Sequence, residues 1–551
     1  MAGGGRLVGV VDAARSDAAA RAAFVVAEAV ALVVIVVVAR DQWFFLDEWY
    51  FLTDRSLTSG HDLLDAYNGH WSTQTVIAYR ALYAVVGLRT YLPYLLLVVV
   101  SHLAVVALVR ATLRRVGIGP WASTGAAGLL LLFGAGRQNI VFGVQILQNG
   151  SIALGLAQLL VADHDGPVGG RRDRIALAIG LLSLSSSGLA LPLVAGVGAA
   201  VLVRRGVRAA ALQTVPLAVV WLAWYAAFGA DDGSSVGGSI GGVARFWWDV
   251  ARATALGLGQ VAPAAAVVAV AAIGGVAATV ARWRRTGDRA RLAPLVGLVV
   301  GWLGFTIVTA ATRNQLVGAF AAVASSSRYV YLGAVLLLPC VVVGVDEARR
   351  RVAERAGEGA GRAVVALGAA CLVVGVPGNV AALVEREPIS MGDPVALRSL
   401  AASPLLDRLP ADEPISERRG LLQVWGPMTV GWLRGARDHG ELEVPDDLPA
   451  RERLLADLRL ATDQPGAAPD DVPGRPRCEP DGSTAPERVD VGDRIVLGAR
   501  TLVTAVDGDD ASAPMAVGPA DGPWLDVVAG PITVVLTDPG GGPADACVAR
   551  R

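Results

Sequence analysis

The chain has 551 residues, is 54% hydrophobic and has a mean hydropathy of +0.51. That is too apolar for a soluble protein of this length and fits a polytopic membrane protein. The formal net charge is -1 and all 48 basic residues are arginine, so no basic field marks the chain for nucleic acid.

Residues 1–21 carry Arg6, Arg15 and Arg21 and read as a cytoplasmic N-terminal tail. The apolar run Ala22–Ala39 is long enough to cross a bilayer. It lacks a small-residue cleavage site and is read as a retained helix. It leads straight into Arg40-Asp-Gln-Trp-Phe-Phe-Leu-Asp-Glu-Trp-Tyr50, so Asp47 and Glu48 sit where a first transmembrane helix leaves the membrane. Trp43, Phe44, Phe45, Trp49, Tyr50 and Phe51 surround them, and such rings favour the membrane–water interface. Acids at that depth are costly unless paired or used, which makes them functional candidates.

This first outer loop, 41–90, continues with Tyr67-Asn68-Gly69-His70-Trp71. From Thr73 to Leu88 it shows apolar residues at helical spacing, the pattern of an interfacial amphipathic helix. Further apolar runs lie near 91–113, 120–135, 145–162, 173–185, 189–203, 209–228, 257–281, 292–311, 329–345 and 362–384. With the first helix these make about eleven spans, several shorter than the ~20 residues an upright span needs. The pair at 173–185 and 189–203 reads either as two short helices joined at Ser185–Gly188 or as one broken helix.

Arginines orient the set. With the N-terminus inside, the cytoplasmic loops hold Arg110, Arg114 and Arg115, then Arg171, Arg172 and Arg174, then Arg204, Arg205 and Arg208, the run Arg282–Arg291, and Arg349–Arg355. The opposite loops hold few, a positive-inside pattern that requires an odd number of spans. It predicts a multi-pass protein of a bacterial plasma membrane, with a cytoplasmic N-terminus and an extracytoplasmic C-terminal region.

After the membrane domain, 22–385, the composition changes. Residues 386–470 mix charge with amphipathic stretches at Pro394–Leu409, Arg418–Gly435 and Ala450–Ala461 and read as mostly helical. Residues 465–486 are rich in Pro, Gly and Asp, a linker composition. Within 471–551, short β-type runs at Arg494–Leu497, Thr501–Val506, Trp524–Val528 and Pro531–Thr537 predict a small β-module. Cys478 and Cys547 bracket it and would staple it outside the cytoplasm, whereas Cys340 and Cys371 lie in apolar runs as packing residues. The predicted fold class is thus a polytopic α-helical membrane protein with a small extracytoplasmic α+β region that ends in a β-module.

The unusual polar groups all fall on the predicted outer side. They are Asp47 and Glu48, then Asn68, His70 and Trp71, then Arg137, Asn139, Gln145, Gln148 and Asn149, then Arg313, and finally Arg328 and Tyr329. A carboxylate beside an outer-leaflet groove can act as general base on a hydroxyl. Arginines can hold a lipid phosphate and stabilise it as a leaving group. Trp49 and Trp71 are candidates to stack on sugar rings, and His70 is a candidate base, phosphate ligand or plain hydrogen-bond donor. Asp47, Glu48 and His70 are the residues able to supply ligands to a divalent metal. The sequence has no Walker A motif, no GxGxxG after a strand, no HExxH and no CxxC, which excludes the usual soluble nucleotide sites.

FFLDEWYFL at Phe44–Leu52, NGHW at Asn68–Trp71, YR at Tyr79–Arg80, GRQNIVFGVQ at Gly136–Gln145 and SSSRYVYLG at Ser325–Gly333 carry a resemblance. Together with many spans, an acid just after the first helix and an outer C-terminal domain, the chain resembles the GT-C superfamily of integral membrane glycosyltransferases. The quoted motifs more closely resemble actinobacterial GT-C-type proteins, and the resemblance covers about 22–385. The resemblance implies an inverting glycosyltransferase with a polyprenyl-phosphate sugar as donor and a cell-envelope glycan or glycolipid as acceptor. Asp47 would be the catalytic acid or base with Glu48 its partner or alternative, and Arg313 and Arg328 would be candidates for the donor phosphate. Some members of the superfamily use a divalent metal and others do not. Two other readings stay open on the residues alone: a transporter or lipid flippase, and a non-catalytic scaffold that binds glycan through its C-terminal module.

Overall fold

The computed structural model describes residues 2–230, 239–312, 323–385, 394–415, 428–463, 480, 482–497, 499–517 and 524–550, with side chains from residue 15 onward. It divides into two units. One comprises Met1–Gln42, Ser56–Ala78 and Leu92–Glu387; the other comprises Trp43–Arg55, Tyr79–Tyr91 and Pro388–Arg551.

The first unit is built of apolar helices, because in lipid every backbone N–H and C=O must be satisfied within its own segment. Among the described residues, 8 helices are long and apolar enough to span: Arg15–Val38, Leu92–Arg115, Gly143–Ala162, Val207–Gly229, Ala262–Thr286, Arg289–Thr312, Ser327–Ala356 and Glu358–Val384. This corrects the expected eleven. The run at 120–135 stops as a helix at Gly128 and continues as turns into a 3-10 turn at Gly134–Gly136. The runs at 173–185 and 189–203 become two separate helices, Arg171–Leu184 of 14 residues and Ala190–Arg205 of 16 residues. Each is shorter than the ~20 residues of an upright span.

Small residues set how closely these helices approach. A Cβ on Gly275 would lie 2.1 Å from the Cys340 carbonyl oxygen, and one on Gly344 would lie 1.9 Å from that of Ala271. Helices Ala262–Thr286 and Ser327–Ala356 therefore touch backbone to backbone. Gly196 plays the same part between Ala190–Arg205 and Arg289–Thr312, where its Cβ would lie 2.3 Å from the Gly297 carbonyl oxygen. At one set of helix ends, fully buried Asp173 accepts from Arg205 Nη2 at 2.9 Å, Gly169 N–H at 2.8 Å and His164 Nε2 at 3.1 Å. Next to it, Asp163 faces Arg115 at 2.7 Å and Arg204 at 3.5 Å. Four of the predicted cytoplasmic arginines are thus engaged in ion pairs or hydrogen bonds here, Arg114 with Asp17 at 3.2 Å being the fourth.

The second unit joins short helices to two sheets. Its strands are β1 (Thr462–Asp463), β2 (Glu487–Val489), β3 (Arg494–Leu497), β4 (Thr501–Asp507), β5 (Asp510–Ala511), β6 (Met515–Val517), β7 (Trp524–Val527), β8 (Ile532–Thr537) and β9 (Ala546–Ala549). One sheet has the order β1-β7-β3-β9 and the other β2-β8-β4-β5, with β6 also paired to β4. Strand β4 buries Thr501, Val503 and Ala505 while β8 buries Ile532, Val534 and Leu536, the alternation of sheets with one covered face. Opposite pairs Val503↔Leu536 and Ala505↔Val534 set the register. The four predicted runs coincide with β3, β4, β7 and β8. Helix Ala450–Ala461 matches its predicted amphipathic stretch, and Pro394–Ala402 with a 3-10 turn at Leu406–Arg408 falls within Pro394–Leu409. Helix Val430–Asp438 overlaps the end of the predicted Arg418–Gly435 stretch, whose residues 418–427 lie outside the described residues, as does most of the predicted linker 465–486. Strand β1 follows Ala450–Ala461 directly, so the helical and β parts are one folded unit. Cys340 and Cys371 are free, and Cys547 is held in a disulfide. Cys478, its predicted partner, lies outside the described residues.

Adjacent glycines test the helix packing. Gly275→Ala is expected to destabilise the protein by about 1–3 kcal/mol through overpacking. Gly274→Ala meets nothing within 4 Å and is expected to leave the thermal melt in detergent unchanged.

Candidate active site around Asp47 and Glu48

The two adjacent acids have opposite environments. Both head the short helix Asp47–Thr53. Glu48 is fully buried, and its carboxylate takes three donors: Tyr79 Oη at 2.6 Å and Tyr91 Oη at 2.8 Å on Oε1, and the Phe45 N–H at 2.9 Å on Oε2. Burial pushes its carboxyl up from the ordinary 4.5 to about 8 against the pull of those hydrogen bonds, and neighbouring Asp47 adds to the rise. Glu48 thus has its lone pairs engaged and no route to solvent. Asp47 is half-buried and makes no hydrogen bond or ion pair with the described residues. Of the pair, only Asp47 presents an unengaged carboxylate.

The backbone before the acids is unusual. Leu46 has φ 44° and ψ -114°, outside the regions open to a leucine at low energy. Such outliers persist where surrounding packing over-determines them. Here the packing is aromatic: Phe44 meets Tyr91 edge-on at 5.1 Å and Trp49 at 5.5 Å, and Phe51 meets Tyr79 at 5.8 Å. Trp49 is 2% exposed, so this ring wedges the helix and offers no open face to a sugar. Tyr79 belongs to the amphipathic helix Thr73–Val86, whose apolar spacing carries no sign of a role for its hydroxyl. Its recurrence with Tyr83 one turn later was the available signal.

The remaining predicted residues lie in the membrane-helix unit. Asn68 and Gly69 have φ of 49° and 75° and close a two-residue turn in which Tyr67 and His70 exchange both backbone hydrogen bonds. Positive φ at both central positions is what an Asn-Gly hairpin turn requires, which accounts for Asn68 on conformational grounds. His70 Nδ1 accepts from the Gly188 N–H at 3.2 Å, holding the Ser185–Gly188 turn. Trp71 stacks on Trp224 at 5.3 Å with planes 4° apart, and its Nε1 donates to Thr73 Oγ1 at 2.7 Å. The 137–149 and 325–329 segments do meet: the Gln138 N–H donates to Ser327 Oγ at 3.2 Å. Asn139, Gln148 and Asn149 form a buried amide cluster, with Asn139 Nδ2 at 3.1 Å from Asn149 Oδ1 and 3.4 Å from Gln148 Oε1. Gln145 is buried nearby in sequence, and its Oε1 finds no partner among the described residues. Arg137 donates from Nε to the Leu383 carbonyl at 3.2 Å. Arg328 lies over the Tyr329 ring at 5.3 Å, and its buried Nε finds no hydrogen-bond partner among the described residues. Tyr329 itself is packed by Phe305 and Phe246. Arg313 lies outside the described residues.

No group of three or more His, Cys, Asp or Glu side chains gathers as a metal-ligand set among the described residues. Of the residues named as possible metal ligands, Glu48 carries three hydrogen-bond donors and His70 Nδ1 is taken by the Gly188 N–H.

No family model matches the chain, and no curated protein matches it. Two solved structures are similar to it. ArnT from Cupriavidus metallidurans in the apo state is 18% identical, with 78% of this chain and 90% of that chain covered and a TM-score of 0.44. The same protein bound to undecaprenyl phosphate is 17% identical, with 76% and 89% covered and a TM-score of 0.42. Likeness at this level carries no chemistry across, so the site is read from its own residues.

The raised Glu48 carboxyl has a consequence for stability. A group that holds its proton more tightly when folded contributes its full stability below about pH 4.5, and that contribution is lost as pH rises through about 8. The melting temperature in detergent is expected to fall across this window in the wild type and to fall less in Glu48→Gln. Tyr79→Phe and Tyr91→Phe should each cost about 1–3 kcal/mol by leaving a buried acceptor short of a donor.

Proposed function

We propose that this protein is a membrane glycosyltransferase of the GT-C type, acting on the outer face of a bacterial plasma membrane. The observation that carries this reading is the split pair of acids. A buried, hydrogen-bonded Glu48 fixes the helix on which a half-buried, unengaged Asp47 is presented, directly after the first span. A general base needs that combination of rigid placement and an open lone pair. The proposed orientation puts the N-terminus in the cytoplasm and the acidic loop outside, following the arginine distribution, with the C-terminal residues of the same folded unit on that side; this needs an odd number of crossings, which the eight long helices supply only together with an odd number of the shorter ones.

In the proposed reaction Asp47 accepts the proton of an acceptor hydroxyl. The hydroxyl oxygen attacks the anomeric carbon of a polyprenyl-phosphate sugar. The new glycosidic C–O bond forms as the bond from that carbon to the phosphate oxygen breaks, with inversion, and the polyprenyl phosphate leaves with the electron pair. The acceptor class is a cell-envelope glycan or glycolipid.

The test is sugar transfer by purified protein from a panel of radiolabelled polyprenyl-phosphate sugars. Asp47→Asn is expected to lower kcat by about 100-fold or more, the usual scale for loss of a general base. Glycosidic product made equally by wild type and Asp47→Asn would remove Asp47 from the chemistry. Lipid translocation without any new glycosidic bond would replace the reading with a flippase.

A further inference from the structure

Residues 430–442 lie far from the acidic motif in sequence yet fold in the same unit with it. Thr429 caps the helix Val430–Asp438 by accepting from the Trp432 N–H at 3.2 Å. Trp432 then meets the Trp49 ring edge-on at 6.4 Å and stacks on Tyr83 at 5.9 Å. The turn after this helix grips the end of the amphipathic helix. Tyr83 Oη donates to Glu441 Oε2 at 2.6 Å, the Leu88 N–H donates to the Glu441 carbonyl at 2.6 Å, and Arg89 Nε donates to the Gly440 carbonyl at 2.9 Å.

Gly87 makes this grip feasible. It sits at φ 57°, and a Cβ there would lie 2.5 Å from the Glu441 carbonyl oxygen. The position therefore demands glycine both for its backbone conformation and for the close approach. Two lines of contact then run to the acids. One passes from Trp432 to Trp49, the neighbour of Glu48. The other passes from Glu441 to Tyr83, one helical turn beyond Tyr79, which donates to Glu48.

We infer that Trp432 and Glu441 are positioning residues for Asp47: they clamp the helix and the tyrosines that fix the acidic motif. The C-terminal region is on this account part of the catalytic framework. The inference rests on the proposed role of Asp47, and its test includes a readout that does not depend on that role.

Full-length protein in detergent, as wild type, Trp432→Ala, Trp432→Phe and Glu441→Gln, would be followed by amide hydrogen exchange and by sugar transfer. Trp432→Ala and Glu441→Gln are expected to speed exchange across residues 45–53 while 501–507 and 532–537 keep wild-type protection, and Trp432→Phe is expected to restore most of it. Transfer by the first two should fall about tenfold or more in kcat, the scale of a small misplacement of a catalytic group, with little change in donor KM. Wild-type exchange at 45–53 in both variants would overturn the inference. So would faster exchange there with undiminished kcat. A wild type that transfers no sugar would defeat the proposed reaction, and the exchange comparison would then decide the clamp alone.

Discussion

A carboxylate cut off from water must find donors or keep its proton, and Glu48 does both. Its two oxygens collect hydrogen bonds from two tyrosines and one backbone N–H, and burial still holds its carboxyl near 8. The two ends of the first loop supply the groups that make that burial tolerable. The donors come from the amphipathic helix and from the chain just beyond it, so the acid ties the start of the loop to its end. The aromatic ring contacts of Phe44, Trp49 and Phe51 keep water out. Under the proposed reading Asp47 is the useful by-product of this arrangement: once Glu48 points inward, the residue before it stays half-buried.

The membrane-helix unit follows a different economy. Apolar side chains gain nothing by leaving lipid for one another, so close contact depends on small residues and on polar groups that cannot be left alone. Gly275 with Gly344, and Gly196 with Gly297, let backbones meet. Asn379 shows the polar half of the rule: it donates to the Gly257 and Gly375 carbonyls at 3.0 and 2.9 Å and accepts from the Ala135 N–H at 2.9 Å. It thereby pins the irregular segment at Gly134–Gly136, whose backbone would otherwise be unsatisfied among apolar helices.

The division of labour between the acids also bears on the C-terminal region. A detachable glycan-binding module would leave the acidic loop intact on its own. Here the loop's own helices fold together with the 430–442 segment, and Gly87 is shaped to the contact. Under the proposed glycosyl-transfer reading, catalytic geometry and the C-terminal region are therefore one structural problem.

The sequence alone determined the elements whose signals are local. Hydropathy marked the long spans, the 3.6-residue period marked the helix Thr73–Val86, and alternation between Gly, Asp and Pro turns marked β3, β4, β7 and β8. It also singled out Asp47 and Glu48, because two charges beside an apolar run are conspicuous whatever the fold. Counting every apolar run as a span overstates their number, since the runs at 173–185 and 189–203 fold as helices of 14 and 16 residues, each shorter than the ~20 residues of an upright span. Only the tertiary structure decided which acid is buried and which is open. That choice depends on desolvation and on donors that are 31 and 43 residues away, with the clamp at Glu441 lying 358 residues from Tyr83. No local pattern encodes such distances, because burial and hydrogen-bond partners belong to the packed chain and not to any segment of it.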